Sequence, residues 1–178
     1  QVLGYNNPGA ALAAVDGLVR LGYKAVEPLL EQLDGYNYGA RAYAIRALAE
    51  IADPRSLQVL LSAAATDFAP SVRRAAAKGL GNLQWHNLPT QQCIHAQTEA
   101  LNVLLAVSED PDWAIRYAAV VGLQALGEAA IEFNTRQVVS DRLLHIAQSD
   151  ADLATQARAK LARDRLHSVS SPQFPVCC

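Results

Sequence analysis

Three arginines that recur at one position of an internal repeat are the first candidates for chemistry in this sequence. Each lies seven residues before a repeated leucine, and they are Arg41, Arg73 and Arg116. A guanidinium group binds carboxylates and phosphates bidentately, so an aligned row of them could hold an acidic ligand. The alternative is structural, because such arginines can tie one helical repeat to a loop aspartate of the next. Asp67, Asp110 and Asp112 are the candidate partners, and we favour this second interpretation.

A second candidate is the segment 34–41, in which two tyrosines and an asparagine stand between glycines. On one interpretation Asn37 caps a helix and Gly39 allows another backbone to approach closely. On the other, the aromatic faces and polar tips of Tyr36 and Tyr38 at a helix N-terminus suit a planar, acidic ligand. The sequence leaves both interpretations open.

Further candidates are two tryptophans and a histidine, namely Trp85, Trp113 and His86. We favour packing roles for both tryptophans over roles as ligand platforms. The spacing of Cys93 and His95 is too short for tetrahedral zinc and no second ligand pair is present, so we predict no metal site. Cys93 is expected to be structural, since a nucleophilic thiol needs a lowered pKa and a well-placed base.

Self-contained enzyme signatures are absent from the sequence. It has no G-x-S-x-G, no phosphate-binding glycine loop and no H-E-x-x-H. Any activity is therefore expected to come from holding a ligand and not from a nucleophile of this chain.

Helical repeats position these side chains. Segments align around one leucine, and the aligned residues are Leu18, Leu48, Leu80, Leu123 and Leu161, which are 30, 32, 43 and 38 residues apart. We expect the two longer gaps to hold insertions, at 84–94 and 127–135. The pattern is typical of an all-α superhelix, a solenoid of about five HEAT-like helical hairpins.

The helix signals agree with this architecture. Asp53-Pro54 and Asp110-Pro111 are expected to cap and start helices. We predict helices near 9–21, 24–33, 39–52, 55–66, 70–83, 95–107, 112–126, 135–148 and 151–166. They form one repeat domain over 1–167. Residues 168–178, which lack periodicity, are predicted to be a tail that is mobile or docked on a partner.

Composition excludes several classes of function. A chain of 178 residues suits one domain or one repeat array. Its 15 basic and 17 acidic residues give a net charge of −2, which argues against nucleic-acid-binding repeats. No apolar run approaches the roughly 18 residues that span a bilayer, and no secretory signal opens the chain.

The three cysteines, two of them adjacent, suit a reducing compartment, so we expect an intracellular protein. The start at Gln1 suggests a trimmed N-terminus.

Two stretches carry a resemblance to a known family. They are Tyr36-Asn37-Tyr38-Gly39-Ala40-Arg41-Ala42, continuing through Arg46 to Ile51, and the run from Val72 to Gly81. Over roughly residues 9–165 the chain resembles the E/F-type bilin lyases. The resemblance implies a heterodimer of two HEAT-like subunits that carries an open-chain tetrapyrrole to a phycobiliprotein. There it promotes addition of the acceptor's cysteine thiol across the ring-A ethylidene, which makes a thioether.

The resemblance also implies partners. They would be an alpha (E) lyase subunit and the phycocyanin alpha chain, in the cytoplasm of a cyanobacterial cell, with no membrane or nucleic acid. Phycocyanobilin would be a transferred substrate and not a tightly bound cofactor. The alternative is a non-catalytic repeat scaffold or phycobilisome adaptor that binds other proteins.

Site roles follow from the same resemblance. The bilin propionates would pair with one or more of Arg41, Arg73 and Arg116. The conjugated plane would lie against Tyr36, Asn37, Tyr38, Trp85 and Trp113. The catalytic proton would come from His86 or Tyr38. Isomerising lyases carry an Asn-His-Cys motif where this chain has Tyr36-Asn37-Tyr38, so attachment without isomerisation is predicted.

Overall fold

A computed structural model describes residues 3, 7–33 and 38–169, and within these ranges every regular element is helical. The α-helices are α1 (Pro8–Leu21), α2 (Val26–Glu31), α3 (Tyr38–Ile51), α4 (Leu57–Thr66), α5 (Pro70–Gly81), α6 (Thr90–Val107), α7 (Trp113–Ala129), α8 (Phe133–Ser149) and α9 (Leu153–Val169). Short 3-10 turns lie at Gly22–Ala25, Pro54–Ser56 and Trp85–Asn87. The predicted all-α class is confirmed. The predicted division at residue 167 stays a prediction, because residues from 170 onward lie outside the described ranges.

The longer repeats arise mainly from longer helices, so the two predicted insertions are largely wrong. α6 begins at Thr90, five residues before its predicted start, and only residues 130–132 separate α7 from α8. α6 has 18 residues and α8 has 17, whereas α4 has 10. The polar residues 90–92 resemble a loop in sequence, but they are the solvent-facing first turn of α6.

One of the two predicted caps is confirmed and the other is displaced. The Asp53 carboxylate accepts a hydrogen bond from the Arg55 backbone N–H at 3.0 Å and caps the Pro54–Ser56 turn. α7 is capped by Asp112, whose Oδ1 accepts from the Ala114 N–H at 2.8 Å. Asp110 is not the cap because its carboxylate is used in a contact between repeats.

The helices form two layers. The odd-numbered helices lie side by side in chain order from α1 to α9, and α4, α6 and α8 pack behind them. The core lies between the layers, where Leu48, Leu80 and Leu123 are fully buried. The repeated leucine is therefore a core position in three repeats, as the alignment predicts.

The last repeat does not follow the register that the repeated leucine predicts for it. Leu153 and Leu161 are exposed, whereas Thr155, Ala159 and Ala162 are fully buried. α9 packs through these small side chains and through Leu166, which is also buried. An alignment anchored on leucine therefore selects the wrong face of this helix.

Small residues set the spacing between α5 and α7. A Cβ added to Gly81 would collide with the Gly122 backbone, and one added to Gly122 would collide with the Ala77 carbonyl and lie 2.9 Å from Leu104. The two helices thus touch backbone to backbone, which only glycine permits at these positions. This close contact fixes the relative placement of the two central repeats.

The substitution Gly122→Ala tests that constraint. We expect it to destabilise the protein by about 1–3 kcal/mol, because the new methyl group forces α5 and α7 apart. Urea unfolding followed by circular dichroism measures the change. Gly17→Ala is the matched control, since Gly17 lies in α1 with nothing within 4 Å of an added Cβ, and it should stabilise the helix by up to about 1 kcal/mol. Equal effects of the two substitutions would contradict the packing argument.

Candidate functional site

The three recurring arginines form a ladder of ion pairs between repeats. Arg41 pairs with Asp67, Arg73 pairs with Asp110 at 2.5 Å, and Arg116 pairs with Asp150 through two bonds of 2.8 Å. Each arginine lies in the first turns of one odd-numbered helix and reaches the turn that precedes the next one. This confirms the structural interpretation with Asp67 and Asp110 as predicted partners. The third partner is Asp150, because Asp112 caps its own helix.

Each aspartate of the ladder also closes its own turn. One oxygen of each carboxylate accepts a backbone N–H two residues ahead, from Ala69, Asp112 and Asp152, at 2.8–2.9 Å. In Asp67 and Asp110 the arginine binds the other oxygen, whereas Arg116 donates to both oxygens of Asp150. The aspartate side chains are at most 6% exposed. The pKa of Asp150 is held below its ordinary value mainly by the hydrogen bonds from the Arg116 side chain, and to a smaller extent by the charge of Arg116. Burial of the carboxylate opposes this shift.

The ladder bears on the predicted ligand role of its arginines. All three guanidinium groups are engaged by carboxylates of the same chain, so an acidic ligand would have to displace an internal partner. In α9 the equivalent position is Gln156, whose amide donates to the Asp150 carbonyl at 2.6 Å. The ligand role of Arg41, Arg73 and Arg116 stays a prediction.

A groove of about 1030 Å³ crosses the exposed face of α1, α3 and α5. Its apolar surface consists of small and aliphatic side chains, including those of Leu12, Val19, Ala42, Ala49, Ala75 and Gly79. Polar groups converge on it from α3 and α5, namely Tyr43, Arg46, Glu50, Arg74, Lys78 and Asn82. A concave, mostly apolar site with a few convergent polar groups has the usual composition of a ligand pocket.

The charges in this groove differ from those of the ladder. Arg46 pairs with Glu50 at 3.0 Å, and both side chains are exposed. Arg74 and Lys78 make no ion pair among the residues that the structure describes. The groove therefore presents two cationic groups that pair with no carboxylate of the described residues, which suits a ligand with two negative charges.

The predicted aromatic segment lies partly at the end of this groove. Gly39 lines the groove, and Tyr38 before it is 69% exposed with its ring edge-to-face on Phe68 at a centroid distance of 5.4 Å. Tyr36 and Asn37 lie outside the described residues. The structure thus places one of the three predicted residues of this segment beside the groove.

The other predicted aromatic residues lie apart from one another. Trp85 is buried and its indole N–H donates to the Gly81 carbonyl at 3.3 Å, which is the packing role that we favour. Trp113 begins α7 and is 51% exposed. His86 is exposed and follows the C-terminal end of α5, whereas Tyr38 begins α3. Because α3 is 14 residues long, or about 21 Å, the two predicted proton donors lie at opposite edges of the helix layer.

The cysteine and the metal prediction can be placed as well. Cys93 is buried in α6, and burial raises the pKa of its thiol, which opposes nucleophilic behaviour. In the described ranges no group of three histidine, cysteine or acidic residues is arranged to hold a metal ion. Of the helices described, none combines the length and hydropathy needed to cross a bilayer.

The groove cations are the functional candidates that sequence reasoning missed. Arg46 and Lys78 occupy the same repeat position, five residues after Arg41 and Arg73, and Arg74 directly follows its ladder arginine. The signal that could have found them is a basic residue at an exposed helical position in two successive repeats. The third repeat has Val121 there, so the feature is not general to the array.

Comparison with known proteins identifies similar chains. A family model of HEAT repeats matches residues 1–81 and 70–162. The chain is 56% identical over 164 residues to "Phycocyanobilin lyase subunit beta" of Nostoc sp. strain PCC 7120, covering 92% of this chain and 80% of that one. It is 51% identical over 151 residues to "Phycocyanin alpha phycocyanobilin lyase CpcF" of Synechocystis sp. strain PCC 6803, covering 85% and 70%.

A solved structure is similar as well. It is the complex of CpcE and CpcF of phycocyanin lyase from Nostoc sp. PCC 7120, matched with a TM-score of 0.84 and 57% sequence identity. The match covers 91% of this chain and 94% of the matched chain.

The ladder predicts a specific pH dependence of stability. The substitution Asp150→Asn should cost roughly 3 kcal/mol near neutral pH, because it leaves the Arg116 guanidinium without its buried partner. Since the folded-state pKa of Asp150 is lowered, its contribution is complete above the ordinary pKa of about 3.9 and is lost as pH falls through the folded value. The difference in the free energy of unfolding between wild type and Asp150→Asn should therefore shrink as the pH is lowered.

Urea unfolding at several pH values measures that gap. The control is Glu50→Gln, which removes an exposed partner of Arg46 and should change stability by less than about 1 kcal/mol. If the stability difference between wild type and Asp150→Asn widened as the pH is lowered, the stabilising role of the ionised Asp150 would be contradicted.

Proposed function

This chain belongs to the E/F-type bilin lyases, a family of HEAT-repeat proteins, as a beta (F) subunit, and on that premise we propose that the groove across α1, α3 and α5 holds the bilin. The protein is one subunit of a heterodimeric lyase that, together with an alpha (E) subunit, attaches phycocyanobilin to the phycocyanin alpha chain. The observation that carries the proposed site is the pair of cations in the groove, Arg74 and Lys78, which form no ion pair within the part of the chain that the structure describes.

Charge is the first support for this site. A bilin has two propionates, and each charge-assisted hydrogen bond to a carboxylate is stronger than a neutral one. Arg74 and Lys78 lie on the same helix four residues apart, on one face of α5. Arg46 can also bind a propionate. This costs little free energy, because Arg46 then gives up only its weak, exposed ion pair with Glu50.

Shape is the second support. Ligand pockets commonly measure roughly 300–1,000 Å³, so a groove of about 1030 Å³ is large enough for an extended tetrapyrrole. Its walls are formed by short side chains such as Ala42, Ala49 and Ala75, which let a flat conjugated plane approach the helices. Tyr43, which is half-buried, supplies an aromatic edge and a hydroxyl group beside that plane.

The chemistry asks for orientation more than for a nucleophile. In thioether formation the acceptor's S–H bond breaks and its sulfur bonds to the exocyclic carbon of the ring-A ethylidene. The electrons of that C=C bond move into the conjugated system, which takes up one proton, so the thiol adds across the bilin without any leaving group. The nucleophile is supplied by the acceptor, and among the described residues the cysteine of this chain, Cys93, is buried. Fixing bilin and acceptor in one reactive geometry is worth up to about 7–11 kcal/mol of a barrier in well-oriented systems.

Of the two predicted proton donors, we assign the role to Tyr38. Its neighbour Gly39 lines the groove, whereas His86 lies at the opposite edge of the layer. Arg41, Arg73 and Arg116 are assigned a positioning role, since they hold the repeats that form the groove. Phycocyanobilin is proposed to be a transferred substrate that leaves with the acceptor.

The groove cations are tested by charge reversal. The double variant Arg74→Glu, Lys78→Glu in the assembled heterodimer should bind phycocyanobilin at least tenfold more weakly, because two attractive contacts worth about 1.5–3 kcal/mol each are lost. Absorbance titration of the bilin measures the affinity. The control is Lys160→Glu on α9, an exposed lysine outside the groove, which should leave the affinity unchanged. An unaltered affinity in the double variant would exclude this groove.

The proton donor is tested by Tyr38→Phe. This change keeps the ring on Phe68 and removes only the hydroxyl group. We expect the rate of covalent attachment to fall roughly a hundredfold, within the usual range for general acid catalysis, while the bilin affinity stays within about twofold. His86→Gln is the matched variant and should have little effect. If His86→Gln slowed covalent attachment more than Tyr38→Phe did, His86 and not Tyr38 would be the proton donor.

A further inference from the structure

Four exposed apolar side chains follow the edge of the helix layer at which the odd-numbered helices begin. They are Tyr38, Phe68, Trp113 and Leu153, with exposed fractions of 69, 72, 51 and 78%. Tyr38, Trp113 and Leu153 are the first residues of α3, α7 and α9, and Phe68 lies in the turn before α5. We call these four residues the apolar edge.

The apolar edge follows the starts of the helices from α3 to α9 and borders the groove at its α3 and α5 end. Tyr38 and Phe68 are in edge-to-face contact, and the Thr155 hydroxyl donates to the Trp113 carbonyl at 3.4 Å, which joins the starts of α7 and α9. Helices in such layers lie about 8–10 Å apart, so the strip is roughly 24–30 Å long. At one end it adjoins Gly39 and Ser71, which form the end of the groove.

From this placement we infer that the apolar edge is the docking surface for the acceptor chain. The inference rests on the proposed function, because it takes the groove as the site of the bilin. A thiol can react only when it lies about 3–3.5 Å from the bilin carbon. The acceptor must therefore contact a surface that borders the groove, and the apolar edge does so.

The area of the edge favours a transient partner over the permanent one. The four side chains expose on the order of 500 Å², whereas a stable complex buries roughly 800 Å² on each partner. A lasting heterodimer needs more surface than this strip provides. An acceptor that must leave once it carries its bilin is served by a small apolar contact.

The test uses the assembled heterodimer, phycocyanobilin and apo-phycocyanin alpha chain. Leu153→Ser, and then Leu153→Ser with Phe68→Ser, remove apolar surface from the edge without altering the groove. We expect the KM for the acceptor to rise, at least about tenfold for the double variant, because apolar area is no longer buried on docking. For Leu153→Ser alone, kcat should stay within about twofold. The matched control is Phe133→Ser at the start of α8, which is 80% exposed, belongs to the second helix layer and should leave the KM unchanged.

Two outcomes would overturn the inference. An unchanged KM for the acceptor would show that the edge does not dock it, and loss of the heterodimer on gel filtration would assign the edge to the alpha (E) subunit. Bilin affinity, measured without acceptor, separates this test from that of the groove. If the groove proposal fails, the Arg74 and Lys78 variant binds bilin normally, whereas failure of the edge proposal appears only in the KM for the acceptor.

Discussion

From α3 to α9, each repeat is joined to the next by an arginine and an aspartate that meet at the turn between them. The aspartate carboxylate accepts both a backbone N–H of its own turn and the arginine side chain of the preceding repeat. One carboxylate thus determines both where a helix begins and how that helix lies against its neighbour. Because the carboxylates are nearly buried, an unpaired member would be costly, and the ladder keeps successive helices in one register.

The ladder works together with the close contact of α5 and α7. Gly81 at the end of α5 and Gly122 in the middle of α7 bring the backbones together, while the ion pairs hold the helix starts. An array held by both kinds of contact does not need large side chains on its open face. That face can therefore be formed by alanines and glycines, which leaves room for the groove between α1, α3 and α5.

Two sets of basic residues with different roles share the same helices. The ladder arginines are neutralised inside the chain, so their charge stabilises the array and is little available to a ligand. Arg74 and Lys78 lie on the open face and pair with no carboxylate of residues 7–33 or 38–169, so we propose that their charge serves an acidic substrate. The separation allows a protein with a net charge of −2 to present a locally cationic groove.

The sequence by itself determined the helices, the repeat and the position of the ladder, because these depend on local periodicity and on a spacing that recurs. It also carried the family resemblance. Only the tertiary structure decided the register of α9, where Ala159 and Ala162 are buried and Leu161 is exposed. It alone showed that Tyr38 and His86 lie at opposite edges and that Arg46, Arg74 and Lys78 share a groove. The distance between side chains of different repeats depends on how closely and at what angle the helices stack, and no short window of sequence contains that information.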